Sequence, residues 1–149
     1  MKLKDIKMSI NLQNQILTNA KSNNSKLHIG LLNHNAKAFT KIGDSVKEQL
    51  AEKQLDLAIT GDKGQVLYQA DKESYMFDKD GLRALNRFVK ELDEKEFIFE
   101  FYKTKFDNLT DEEKAFVFVD GHYHPNMDQE LFDLLSNFIT DLPEFKIAE

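Results

Sequence analysis

Apolar residues recur at helical spacing through several stretches of the chain. Ile10, Ile16, Leu17 and Ala20 form a stripe over residues 10–22, with Ser9 placed to cap it. Lys21-Ser22-Asn23-Asn24-Ser25 ends the stripe with residues that favour caps and turns. From Lys26 to about Gln54, the residues Leu27, Leu31, Asn35, Ala38, Ile42, Val46 and Leu50 follow in steps of three and four, the period of one helix face. Asn35 interrupts that face with a polar residue, beside Asn33 and His34. Gly30 and Gly43 each weaken the helix by about 1 kcal/mol relative to Ala. Residues 1–54 therefore read as an N-terminal α-helical hairpin with a long second arm.

After Leu55 the period shortens. Leu57-Ala58-Ile59, Val66-Leu67-Tyr68 and Tyr75-Met76-Phe77 are short β-prone runs, separated by Gly61-Asp62-Lys63-Gly64 and by Ala70-Asp71-Lys72. Such runs between turn signals predict a hairpin or small meander. Asp78 is placed to cap a helix bearing Leu82, Leu85, Phe88, Val89 and Leu92. Residues 96–102 alternate, with Phe97, Phe99 and Phe101 on one face and Ile98, Glu100 and Tyr102 on the other, which predicts a strand with its Phe face in the core. An aromatic platform for stacking bases would want interleaved Lys or Arg, and Glu96 and Glu100 stand there instead.

Thr110-Asp111-Glu112-Glu113 is a capping box, and Asn126 with Gln129 has the same spacing. Between them the pattern allows helix or strand at 115–119 and predicts a loop at 120–125. Leu131, Leu134, Leu135, Phe138 and Leu142 form the face of a last helix that stops before Pro143. The chain thus reads as one α+β domain over 1–149. A basic helical part, 1–54, precedes an acidic α/β part, 55–149, with C-terminal helices packed on a small, mainly antiparallel sheet from 57–60, 65–69, 73–77 and 96–102. The predicted core comprises Leu31, Ile42, Val46, Leu50, Leu82, Leu85, Val89, Phe97, Phe99, Phe101, Leu131, Leu134 and Phe138.

Composition narrows the function classes. With 149 residues, 41% of them hydrophobic, the chain can bury one ordinary core. No run approaches the roughly 18 apolar residues of a membrane helix, and the start, Met1 to Met8, lacks the apolar stretch of a secretory signal. The absence of cysteine excludes disulfides, thiolate chemistry and Cys-based metal sites. A cytoplasmic protein outside the membrane is the resulting expectation. The net charge of −6 is unevenly spread: residues 1–54 carry +5 and residues 55–149 carry −11. Residues 107–149 hold eleven acids against Lys114 and Lys146. That balance disfavours nucleic-acid binding over the whole surface. It is consistent either with the two parts neutralising each other or with an acidic surface for a basic protein partner. Asp111, Glu112, Asp133, Asp141 and Glu144 are the candidate partner-binding residues; helix-dipole stabilisation gives Asp111 and Glu112, at a helix start, a structural reason as well, and gives none for Asp133, Asp141 and Glu144.

Catalytic signatures are scarce. Phosphate-loop, nucleophile-elbow and His-Glu-x-x-His patterns are absent from the sequence. Val119-Asp120-Gly121-His122-Tyr123-His124 resembles the metal-binding strand end of amidohydrolase-type barrels, where two imidazoles on one strand face grip a metal ion. Those enzymes need most of a barrel after that strand, and 25 residues follow His124. Solvated or helix-capping histidines are therefore the primary expectation. A small metal-dependent hydrolase using His122, His124 and Asp120 is the competing one. No cofactor is implied.

A broader resemblance rests on order and wording: a Lys-rich start, the helical hairpin, Gly61-Asp62-Lys63-Gly64, Tyr75-Met76-Phe77-Asp78, Lys90-Glu91-Leu92, Glu96-Phe97-Ile98-Phe99-Glu100 and Leu109-Thr110-Asp111-Glu112-Glu113. Over roughly residues 1–115 this resembles a group of small proteins encoded by tailed bacteriophages and prophages. The resemblance implies a protein of the bacterial cytoplasm or the virion and supplies no catalytic residues. Non-enzymatic protein–protein binding is the functional expectation, as an inhibitor of a host or defence protein or as a virion-assembly component. Self-association through the N-terminal hairpin is the expectation for assembly.

Overall fold

The computed structural model describes residues 1–145. Helix α1 spans Leu3–Asn19 and supplies six of the sixteen buried hydrophobic residues among those described. Leu3, Ile6, Ile10, Ile16 and Leu17 are buried along it at helical spacing. Ser9 and Gln13 share that face and are also buried, which is why the apolar stripe is weak in the sequence. The helix starts seven residues earlier than Ile10 because Lys2, Lys4 and Lys7 have partners. Lys2 and Lys4 pair with Glu94 at 2.8 and 2.6 Å, and Lys7 with Asp93 at 2.9 Å.

Ser25 caps α2, Lys26–Gly30, by accepting from the backbone N–H of His28. The helix continues through a π-helical turn, Leu31–Asn35, into α3, Ala36–Leu57. The wider π turn lies where Asn35 interrupts the apolar stripe. The predicted hairpin would set α1 against this whole rod. In the structure α1 meets it near the turn, where Gln13 hydrogen bonds to the Leu27 carbonyl and to Asn35. Further out, α3 runs beside α4, Lys79–Glu94, which Asp78 caps at Gly81 as the sequence predicts. The two helices are antiparallel: Leu57 lies by Gly81, Lys53 over the Phe88 ring, and Gln49 against Lys95. No residue of α3 is buried, so Ile42, Val46 and Leu50 of the predicted core are half-covered, and Leu82 and Val89 stay exposed.

The loop joining α3 to α4 makes a meander without forming a regular strand. Ile59 N–H donates to Met76 O, Met76 N–H to Leu67 O, and Leu67 N–H to Ile59 O, a closed ring of backbone bonds at 2.8–3.0 Å. Antiparallel bridges link Thr60 with Val66 and Tyr68 with Tyr75. Residues 96–102 likewise form no strand, although their faces alternate as predicted. Phe101 is buried, Phe97 and Phe99 are half-buried, and Ile98 is fully exposed. The segment lacks a continuous neighbouring strand: Phe97 N–H donates to Met1 O, and Tyr102 is held by a side chain.

The regular sheets are elsewhere and small. Strand β1, Thr104–Lys105, pairs in parallel with β4, Ile139–Thr140, where helix was predicted to continue to Leu142. Strands β2, Phe118–Val119, and β3, His122–Tyr123, form an antiparallel hairpin: β2 falls in the stretch where the pattern allows helix or strand, and β3 where it predicts a loop. Asp120 and Gly121, at φ 54° and 79°, supply the left-handed pair that a tight two-residue turn requires. The fold class is α+β. Helix α5, Asp111–Ala115, opens with the capping box at Thr110 and Glu113, and α6, Gln129–Ser136, is capped by Asp128 rather than by Asn126. Both pack on α1, around a core of Phe138, Leu135, Ile139, Leu27 and Val117.

Candidate functional site

The structure separates the acidic residues singled out above. Glu112 borders a depression formed by residues 20–25 and Thr110. Asp133 borders another with Met1, Asp5 and Glu130. Glu144 lies in a third with Asp128 and His122. Asp111 and Asp141 are exposed, Asp141 with φ 57° just after β4. Asp133 accepts a hydrogen bond from Gln129 one turn earlier, at 2.8 Å. These carboxylates spread negative charge over α5, α6 and the segment after β4 and converge on no common cleft. Glu113, their neighbour, is fully buried: it accepts from the Ser22 and Ser25 hydroxyls at 2.7 Å and from Thr110 N–H at 2.9 Å. Its side chain fastens the 20–25 turn to α5 through these hydrogen bonds.

His122 is exposed at the start of β3 and His124 is half-buried just after it. The Nε2 of His124 lies 2.9 Å from the Ala115 carbonyl, so that nitrogen carries the proton and donates. Among the described residues no three His, Asp or Glu side chains stand close enough together to hold a metal ion. Tyr123, between the two histidines, has its hydroxyl on the Pro143 carbonyl and its ring edge-on to Phe118, Phe132 and Phe145. Burial in this aromatic nest raises the Tyr123 pKa above its ordinary value. The nest gives the hairpin a packing role that the two histidines do not need.

The ion pairs bind the basic N-terminus to the acidic end of α4. The α-amino group lies 3.0 Å from Glu96, and Lys2 and Lys4 together hold the Glu94 carboxyl down to about 2. Part of the charge asymmetry along the chain is thus settled internally.

The surface feature that sequence patterning misses is the α3–α4 arm. Leu82 is 47% exposed and Val89 39% exposed, seven residues apart on one side of α4. Leu55 on α3 and Met76 and Tyr68 in the connecting meander are exposed as well. The signal was present as an apolar stripe on α4 too wide to be covered by one neighbouring helix. No helix of the described residues is long and apolar enough to cross a membrane. The chain matches no protein-family model, no curated protein and no solved structure.

Proposed function

We propose that this protein acts by protein–protein contact, as a dimer joined through the α3–α4 arm that offers its acidic α5–α6 surface to a basic partner. One observation carries the reading. The chain exposes 10189 Å². A compact monomer of its 17.3 kDa would expose about 7,800 Å². The excess, roughly 2,400 Å², is well above the ~800 Å² per partner of a standard interface. In the α3–α4 pair no residue of α3 is fully buried, and α4 leaves Leu82 and Val89 uncovered. Covering that face with a second helix pair would complete a four-helix layer.

Charge favours a second copy as the occupant. On α3, Lys37, Lys41 and Lys47 against Asp44 make the first half +2, and Glu48, Glu52 and Asp56 against Lys53 make the second half −2. On α4, Lys79, Arg83 and Arg87 against Asp80 give +2, and Glu91, Asp93 and Glu94 against Lys90 give −2. Each helix therefore complements an antiparallel copy of itself, the relation that a two-fold axis across the arm creates. The bacteriophage resemblance extends the proposal to a phage-encoded inhibitor of a host or defence protein, or a small virion-assembly component.

Leu82→Lys with Val89→Lys tests the interface. Both sites are already solvent-exposed, so the helical circular dichroism should be unchanged while the mass in solution falls from two chains to one. A double variant that keeps the wild-type mass would move the interface off the arm.

A further inference from the structure

A cavity lies at the π-helical turn, and none of the arm's exposed apolar residues lines it. It has a volume of about 640 Å³, within the range of small-molecule sites. Its lining is unlike the rest of this acidic protein. Lys26, Lys103 and Lys105 line it, and no Asp or Glu does. None of the three lysines has a carboxylate within ion-pair distance among the described residues. Lys2, Lys4 and Lys7 pair with Asp93 and Glu94, whereas these three are exposed and form no ion pair among the described residues.

The wall between them is aromatic and held in place. Tyr102 is half-exposed on the cavity side, and its ring lies so close to the helix that a Cβ at Gly30 would sit 2.7 Å from Cδ1. Only glycine permits that approach. The Tyr102 peptide is fixed by Asn35, and the Thr104 N–H that follows by the Phe138 carbonyl, at 3.0 Å. His34 stands at 6.2 Å from the Tyr102 ring with its planes tilted by 50°, anchored through Nε2 to the Glu100 carbonyl at 2.8 Å. Asn33 and Asn108 add amide groups at the rim.

We infer that this cavity is a binding site for a nucleoside phosphate, its base lying against Tyr102 and its phosphates among Lys26, Lys103 and Lys105. Lysine ammonium groups are point-charge partners for phosphate oxygens. A tyrosine face held by its backbone stacks a planar base at little ordering cost, and stacking tolerates every base. A free nucleotide fits the electrostatics better than a nucleic-acid strand. Lys103 and Lys105 stand in the part of the chain, residues 55–149, that carries −11 overall, so a strand leaving the cavity on that side would meet net negative charge.

Calorimetric titration of the full chain with ADP, with pyrophosphate and with a short oligothymidylate separates the outcomes. ADP should saturate at one per chain and raise the melting temperature, as a ligand of the native state must. Lys103→Ala with Lys105→Ala should weaken ADP and pyrophosphate alike, by about tenfold or more. Tyr102→Ala should weaken ADP and leave pyrophosphate unchanged, because only the base meets the ring. Retention of the wild-type melting temperature in the absence of ligand certifies the lysine variants as folded. Three results would overturn the assignment: no saturable heat with ADP up to about 1 mM, affinity indifferent to the lysine variants, or oligothymidylate binding more tightly than ADP. The titrations are independent of the arm, since Leu82→Lys with Val89→Lys should bind ADP as the wild type does.

Discussion

The side chain of Asn35 binds both backbone polar groups of Tyr102. Its Oδ1 accepts the Tyr102 N–H at 2.7 Å, and its Nδ2 donates to the Tyr102 carbonyl at 3.2 Å. A single buried amide thus does for Tyr102 what a neighbouring strand would do. The same Nδ2 reaches Gln13 Oε1, and Gln13 Nε2 donates to the Leu27 carbonyl, both at 3.3 Å. These amides link α1, α2 and the aromatic segment through the interior. Satisfied in this way, two buried polar side chains strengthen the core; left unpaired, they would weaken it.

Asn35→Ala should therefore cost about 2–4 kcal/mol, because it strands the Tyr102 N–H and C=O and Gln13 Oε1. Asn35→Asp should be worse still, since a carboxylate keeps the acceptor but faces the Tyr102 carbonyl and Gln13 Oε1 where an N–H stood. Urea denaturation of the two variants measures this, and a loss under about 0.5 kcal/mol for Asn35→Ala would show the clamp to be dispensable.

The aromatic segment should respond unevenly. Phe101→Ala should cost about 3–5 kcal/mol, because that ring is buried against Phe138. Phe99→Ala, half-buried edge-on to Phe101, should cost about half as much. Ile98→Ala should be within about 0.5 kcal/mol of wild type, its side chain being fully exposed. Equal losses at the three positions would contradict the alternation.

Glu113→Ala should cost about 2–4 kcal/mol. It removes the acceptor of two serine hydroxyls and of the Thr110 N–H in one step. Proteolysis should then open the chain within residues 20–25, which that carboxylate fastens to α5. Resistance equal to wild type would mean the turn holds without it.

Acid should release the N-terminus from α4. The Glu94 carboxyl is lowered from 4.5 to about 2 by its hydrogen bonds to Lys2 and Lys4. A depressed carboxyl contributes stability that is present above the unfolded value and is lost as pH falls through the folded one. The pH profile of stability should therefore carry a Glu94-dependent decline between pH 4.5 and about 2. Glu94→Gln should remove that part of the decline, and high salt should shrink it, since the pairs are open to solvent. A profile identical in wild type and Glu94→Gln would show the pairs to be energetically silent.

Elements with local signals were legible in the sequence. The caps at Asp78 and Thr110 announce α4 and α5, and the Lys26–Gln54 periodicity announces the rod. Helix α1 was read short because Ser9 and Gln13 stand on its buried face, and their partners, Asn137 for Ser9 and Asn35 for Gln13, are distant in sequence. Strand character at 96–102 was legible in side-chain alternation, yet a strand also needs a backbone neighbour, which periodicity does not reveal. The β2–β3 hairpin turns on Asp120-Gly121, a left-handed pair hidden by the histidines beside it. The basic cavity assembles Lys26 with Lys103 and Lys105, three residues whose proximity depends on β1 lying beside α2.

Sedimentation equilibrium of the full chain across a range of protein concentrations tests contact through the α3–α4 arm. A two-fold pairing of the arm predicts a monomer–dimer equilibrium that shifts to dimer as concentration rises, with a mass approaching twice 17.3 kDa. Raised salt should weaken it, because basic and acidic halves of the helices face each other across the axis. A mass that stays at a single chain throughout, at low salt and high concentration, would contradict it.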